Sequence, residues 1–257
     1  MKFVASITVY RIIQDLFFFD GNEVNLESLA SAVRDKQVGT NERGVINESG
    51  FTIPISNQVD DINYIEFLGF EETSYGVYSE PSIIDNRVRI IENTFKYFTS
   101  CRVFVFSNNF LVISSNDSGE EKVKVGVRKL LESIGLSLDV IKMDSDFLTR
   151  AKNNPYITCT SCSINEVNNE NDSTRNVSYE VDPADIVNDS IVSNIYEGKG
   201  HIAKIKALFP YQIVSGNVSI VLTLYKNGNR CSFEPVQLNG GELNRFILVL
   251  MEFLKGI

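Results

Sequence analysis

"CRVFVFSNNFLVISSNDSGEEKVKVGVRKLLESIG", residues 101–135, is the stretch on which the fold turns. Its first half is two runs rich in valine, isoleucine and phenylalanine, parted by Asn108-Asn109. Asparagine tolerates the left-handed backbone that a tight hairpin demands, so the two runs read as antiparallel strands. Then the period changes. Val123, Val127, Leu130, Leu131 and Ile134 recur along one helical face, Ser118 and Glu121 have capping-box spacing, and Gly135 is placed to end the helix. A further strand follows in "LSLDVIKM", residues 136–143. Hairpin, helix and strand in that order imply an α+β fold, with helices packed on a largely antiparallel sheet.

Toward the N-terminus the pattern predicts a strand over Phe3–Ile13 and a helix in "NLESLASAVRD", capped by Asn25 with Leu26, Leu29, Ala30 and Val33 as its stripe. Gly39 to Gly50 reads as a loop and "FTIPIS" as a short strand; residues 56–84 are acidic and aromatic without a clear period. In "DNRVRIIENTFKYF", Val88, Ile91, Phe95 and Phe98 recur at helical spacing behind Asp85, which predicts a helix.

Toward the C-terminus, residues 152–182 are rich in Asn, Ser and acid, and read as an exposed loop or the tip of a long hairpin. "DPADIVNDSIVSNIYEG" predicts a helix with Asp182 as cap and Pro183 in its first turn. A strand containing three lysines in its approach and body comes next, then a hairpin around Asn227-Gly228. The last helix, "GELNRFILVLMEFLKG", is apolar on nearly every side and belongs in a core or a subunit interface. The expected organisation is therefore two hairpin-containing halves, 1–150 and 183–257, joined by the acidic Asn-rich segment 151–182, either as separate regions or as one continuous domain.

A chain of 257 residues with 43% hydrophobic and 22% charged residues can bury a substantial core. Arg11, Gln14 and Asp15 interrupt the apolar N-terminus, which argues against a signal peptide, and no apolar run is long enough for a membrane helix. The expectation is a cytoplasmic protein that does not enter membranes. The four cysteines include a C-x-x-C at Cys159 and Cys162, but Cys101 and Cys231 stand alone and His201 is the single histidine. A structural zinc site needs a second pair of ligands, so incidental thiols in a reducing compartment are the simpler reading, and no cofactor is expected.

Catalytic motifs are scarce. There is no phosphate-binding loop, no dinucleotide fingerprint and no nucleophile elbow. The acidic pairs Asp60-Asp61, Glu71-Glu72 and Asp144/Asp146 leave a metal-dependent nuclease as a rival reading, although acids at turns and helix starts more often act as caps. A non-enzymatic protein is expected.

The charge pattern is more informative. The formal net charge is −9, yet residues 151–198 carry −6 while residues 199–257 carry +4. Much of that positive charge lies in and around "EGKGHIAKIKALF", residues 197–209. As a strand, this segment alternates: Ile202, Lys204, Lys206 and Leu208 project to one side, Ala203, Ile205 and Ala207 to the other. Lys226 and Arg230 flank the next turn, and Lys122, Lys124, Arg128 and Lys129 lie on the large helix. Lysines spaced along a sheet suit phosphates rather than base edges, so the candidate site is a phosphate-backbone surface formed by Lys199, Lys204, Lys206, Lys226 and Arg230. The rival from a third class is a protein-interaction module whose lysines are merely solvated.

The order of these segments resembles the family of the recombination-associated protein RdgC and its distant relative, the phage exclusion protein RexA. The likeness runs through Val9-Tyr10-Arg11, the segment with Phe95 and Phe98, "RVFVFSNNFLVISS", "LLESIGLSLDVIKM" and "DIVNDSIVSNIYEGK", and ends in the apolar last helix. Gly198-Lys199 and Lys204 are the positions that match the family's DNA-facing residues, with one extra residue between them. The resemblance implies a homodimeric, non-enzymatic protein that binds double-stranded DNA without base specificity, in recombination or phage–host conflict. Residues 36–84 and the Asn-rich segment have no counterpart in it.

Overall fold

A computed structural model describes residues 4–14, 17–116, 118–168, 170, 173–185, 190–238 and 240–257. The chain begins with β1 (Ala5–Ile12), β2 (Phe19–Asp20), β3 (Glu23–Val24), α1 (Leu26–Asp35), β4 (Gly39–Thr40), β5 (Ile46–Glu48), β6 (Gly50–Phe51) and β7 (Ile55–Val59). It continues through β8 (Ile62–Ile84), β9 (Arg87–Phe106), β10 (Phe110–Ser115), α2 (Ser118–Ser133), β11 (Leu138–Val140), α3 (Ser145–Lys152), β12 (Thr158–Asn165) and β13 (Val177–Glu180). The remainder is α4 (Ile191–Tyr196), β14 (His201–Ile213), β15 (Gly216–Tyr225), β16 (Arg230–Phe233), a 3-10 turn at Pro235–Gln237 and α5 (Gly240–Gly256). The fold is α+β.

Twelve strands form one sheet in the order β13-β12-β14-β15-β16-β1-β10-β9-β8-β6, with β11 also on β1 and β7 also on β8. Its strand pairs are antiparallel. Because β16 pairs with β1, the sheet is continuous between the C-terminal strands and the first one.

Alternation along each strand gives two faces, and each receives its own core. On one face Ile7, Val9, Phe104, Phe110, Ile205, Phe209, Leu222 and Phe233 pack against Phe147 and Leu148 of α3 and Phe246, Leu250 and Leu254 of α5. The last helix is thus sunk into its own chain's core. Phe209 touches Tyr156, Phe246 and Phe253 edge-on, with ring centroids 5.1–5.6 Å apart. On the other face Tyr10, Ile65, Phe67, Val103, Val105, Leu111 and Ile113 meet Leu29 and Val33 of α1 and Val123, Val127 and Leu131 of α2. This second layer covers β1 and β8–β10. Over β12–β16 no helix lies on that face among the described residues.

Several expected elements form for the expected reasons. The Asn25 side chain accepts from the Ser28 N–H at the start of α1. Asn109 takes φ 64° in the β9–β10 turn, Gly135 takes φ 104° after α2, and Gly228 takes φ 78° between β15 and β16. The side chain of Ser118 lies outside the described set, and Glu121 is engaged elsewhere, as set out below.

Three expectations are corrected. Residues 87–98 are strand, not helix: they belong to β9 and pair with β8 along its whole length. Asp85 and Asn86 do not cap a helix but make the intervening turn, with φ 54° and 59°. In the acidic segment 152–182, read as an exposed loop or the tip of a long hairpin, β12 and β13 pair antiparallel and the Asn-rich part connects them. Asp182 caps a turn at Ala184, while the following helix starts at Ile191 behind Ser190; residues 186–189 lie outside the described set.

Candidate functional site

The uncovered half of the sheet is built from five adjacent strands whose outward residues fall in register. One cross-strand row runs Ser178, Ser163, Lys204, Tyr225, Arg230. The next runs Glu180, Ser161, Lys206, Thr223, Ser232, Ser6 and Ser115, reaching from β13 to β10. On β14 the inward positions Ile205, Ala207 and Phe209 are buried, which fixes the outward direction of Lys204 and Lys206. Two residues along a strand span about 6.6 Å, so the two ammonium groups stand on one face within reach of each other's ligands. Of these rows, Lys204, Tyr225, Glu180, Ser161, Lys206, Thr223 and Ser232 line a shallow depression of about 350 Å³, together with Val4, Val221, Phe233 and Glu234.

Ile202 departs from the simple alternation. Ile164 pairs with Ile202 while Ser163 pairs with Lys204, so Ala203 is an extra residue. That irregularity turns Ile202 into the core and leaves the lysines facing outward.

At the border with the covered half, the polar rows meet α2. Lys124 is almost wholly buried there, donating to Ser6 Oγ at 3.1 Å and pairing with Glu121 at 2.9 Å. The Ser115 hydroxyl donates to Glu121 at 2.7 Å, and Arg230 approaches the same carboxylate at 3.7 Å while lying over the Tyr225 ring at 4.3 Å. Burial alone raises the Glu121 carboxyl; the Lys124 ammonium and the Ser115 hydroxyl outweigh it and hold the group below its ordinary value. Burial pushes the Lys124 amine down, partly offset by Glu121.

The five expected site residues therefore separate. Lys204 and Lys206 share the open face, and among the described residues neither enters an ion pair. Arg230 lies in the same row, but its charge is shared with Glu121. Its buried Nε has no hydrogen-bond partner among the described residues. Lys226 is exposed in the β15–β16 turn, where its N–H donates to the carbonyl of Ala203, and Lys199 is exposed in the turn ahead of β14. On α2, Lys124 is not available to a ligand and Arg128 is paired with Glu132. Sequence reading missed the serine and threonine rows; short alternations such as "TSCS" and "LTLY" carry them, but only strand register shows that they align.

The other candidate chemistries find no convergent geometry. Asp144 accepts from the Phe147 N–H as the cap of α3, Asp60 pairs with Arg245, and Glu72 pairs with Lys96. Among the described residues no three His, Cys, Asp or Glu side chains are placed to hold a metal ion. All four cysteines are free thiols, and burial pushes Cys162 up to about 11. No helix among the described residues is long and apolar enough to cross a membrane. Comparison with protein-family models and with curated proteins finds no match.

Proposed function

We propose that the open face of β12–β16 binds the phosphate backbone of double-stranded DNA without reading bases. The observation that carries this reading is the pair Lys204 and Lys206 set among Ser161, Ser163, Thr223 and Ser178 on a sheet face with no helix over it. Lysine, serine and threonine side chains are the groups that contact phosphate, and a flat row of them fixes a duplex by its backbone. Lys199 and Lys226 extend the positive field beyond the strand ends, while Arg230 adds less charge because Glu121 neutralises part of it.

In this reading the two halves of the sheet have different work. The N-terminal half is closed by α1 and α2, and the C-terminal half presents the ligand surface. The resemblance to RdgC and RexA fits the same role: a non-enzymatic homodimer, acting in the cytoplasm in recombination or phage–host conflict. An acidic exterior does not oppose it, since exposed charges are screened within about 8 Å at physiological salt.

The test is titration of a labelled duplex of about 30 base pairs, in several arbitrary sequences, across salt concentrations and with or without magnesium. Equal affinity for every sequence, falling steeply with salt and leaving the DNA intact, supports the proposal. Absence of binding at low salt refutes it, and magnesium-dependent cleavage favours a nuclease.

A further inference from the structure

The sheet face opposite Lys204 and Lys206 has an opening of its own beside the first turns of α5. On β9 and β10 the alternation that turns Phe104 and Val112 into the core carries Arg102 and Ser114 to the same face, where the register pairs them directly. Directly paired residues hold their Cβ atoms about 4.5–5.5 Å apart, so the guanidinium and the hydroxyl are neighbours. A cavity of about 480 Å³ opens beside them. Ala5 and Phe104 line it from the sheet, and Leu238, Leu243 and Ile247 line it from α5 and the segment ahead of that helix.

The polar end of this cavity is unsatisfied. Ser114 is only 8% exposed, yet its hydroxyl has no hydrogen-bond partner among the described residues. Buried hydroxyls are nearly always bonded, so one left open toward a cavity points to a missing partner. Arg102 sets its Nε 3.3 Å from Glu66 and makes no hydrogen bond among the described residues, which leaves its Nη donors unfilled. A guanidinium edge of that kind is the planar fork that holds both oxygens of one carboxylate.

We propose that this cavity binds a small amphiphile with a single carboxylate, its head between Arg102 and Ser114 and its apolar tail along Phe104, Leu243 and Ile247. The size agrees. At the ~30 Å³ that one water occupies in the liquid, 480 Å³ holds roughly 16 non-hydrogen atoms, and the volume lies within the range of small-molecule sites. Decanoate, with about twelve such atoms, fits. Glu66 shares the Arg102 charge, so the apolar walls supply most of the affinity and the head group sets the orientation. The expected dissociation constant is on the order of 100 µM. Neither the lysine face nor DNA enters the site or its test, so this inference and the proposed function stand or fall independently.

Isothermal titration calorimetry of the full chain with decanoate, kept below its micelle concentration, reads the outcome. The wild type takes up one decanoate per chain, saturably. Arg102→Met weakens binding about tenfold and Ser114→Ala about threefold, as loss of a charged and of a neutral hydrogen bond requires, and neither changes the melting temperature by more than a few degrees. Leu243→Trp puts an indole into the cavity and abolishes binding; should that variant not fold, the two head-group variants decide alone. No saturable binding up to about 5 mM overturns the inference. So does uptake at several equivalent sites, or an affinity indifferent to Arg102→Met.

Discussion

Glu121→Gln takes the counter-charge from a lysine that has almost no contact with water. The Lys124 side chain is 5% exposed, and its ammonium sits 2.9 Å from Glu121 and 3.1 Å from Ser6 Oγ. Breaking a buried ion pair by removing one member typically costs about 3–5 kcal/mol, because the other charge stays buried. Glutamine still offers an oxygen, and Glu121 is 29% exposed, so the expected loss is about 3 kcal/mol, at the low end of that range. Against a usual total of about 5–15 kcal/mol this moves a urea midpoint unmistakably. Lys124→Met is far milder, about 1 kcal/mol, since Glu121 keeps Ser115 and Arg230. Glu121→Gln/Lys124→Met should then recover most of the single-mutant loss. The pH dependence has a definite sign. Glu121 is held below 4.5 in the folded state, so its contribution is present above pH 4.5 and is lost as pH falls through the lowered value. Lys124 is lowered from 10.5, so the unfolded chain binds more protons between the lowered value and 10.5, and stability rises with pH across that window. Urea denaturation at pH 4 and pH 7 measures the first. A loss below about 1 kcal/mol for Glu121→Gln, or strict additivity in the double variant, refutes the reasoning.

Two other outcomes follow from the same structure. Phe209→Ala empties a site shared by Tyr156, Phe246 and Phe253, and chemical denaturation should register a loss of about 3–5 kcal/mol, whereas a loss below about 1 kcal/mol contradicts the packing. Cys101, Cys162 and Cys231 are buried with Cys162 raised by burial to about 11, so a thiol reagent at neutral pH should modify at most Cys159 before the protein is unfolded.

The fold is legible in the sequence wherever one face of an element is buried. Residues 101–115 alternate because their two faces enter two different cores, and α1 and α2 show single stripes because each covers one face only. The β8–β9 ribbon breaks that rule. With both faces of residues 71–99 largely in solvent, nothing enforces a period of two, and the chance spacing of Val88, Ile91, Phe95 and Phe98 imitates a helix. Its true signal was compositional: Ile83, Ile84, Val88, Ile90, Ile91, Thr94 and Phe95 are strand formers, and Asp85-Asn86 suits the left-handed turn between them. The lysine face was legible for the opposite reason, since Ile205 and Ala207 are anchored in the core. The capture of Arg230 by Glu121 was not, because it joins residues more than a hundred positions apart and depends on α2 lying beside β16.

The measurement that bears most directly on the proposed function is the salt dependence of duplex binding by Lys204→Ala/Lys206→Ala beside the wild type. Both lysines are outward and outside the core, so melting temperature should not move. The expected result is weaker binding to every sequence alike and a slope of log affinity against log salt flatter by about 1.8, at about 0.9 for each lost phosphate contact. Unchanged affinity and slope in a folded double variant would contradict the assignment of this face to DNA.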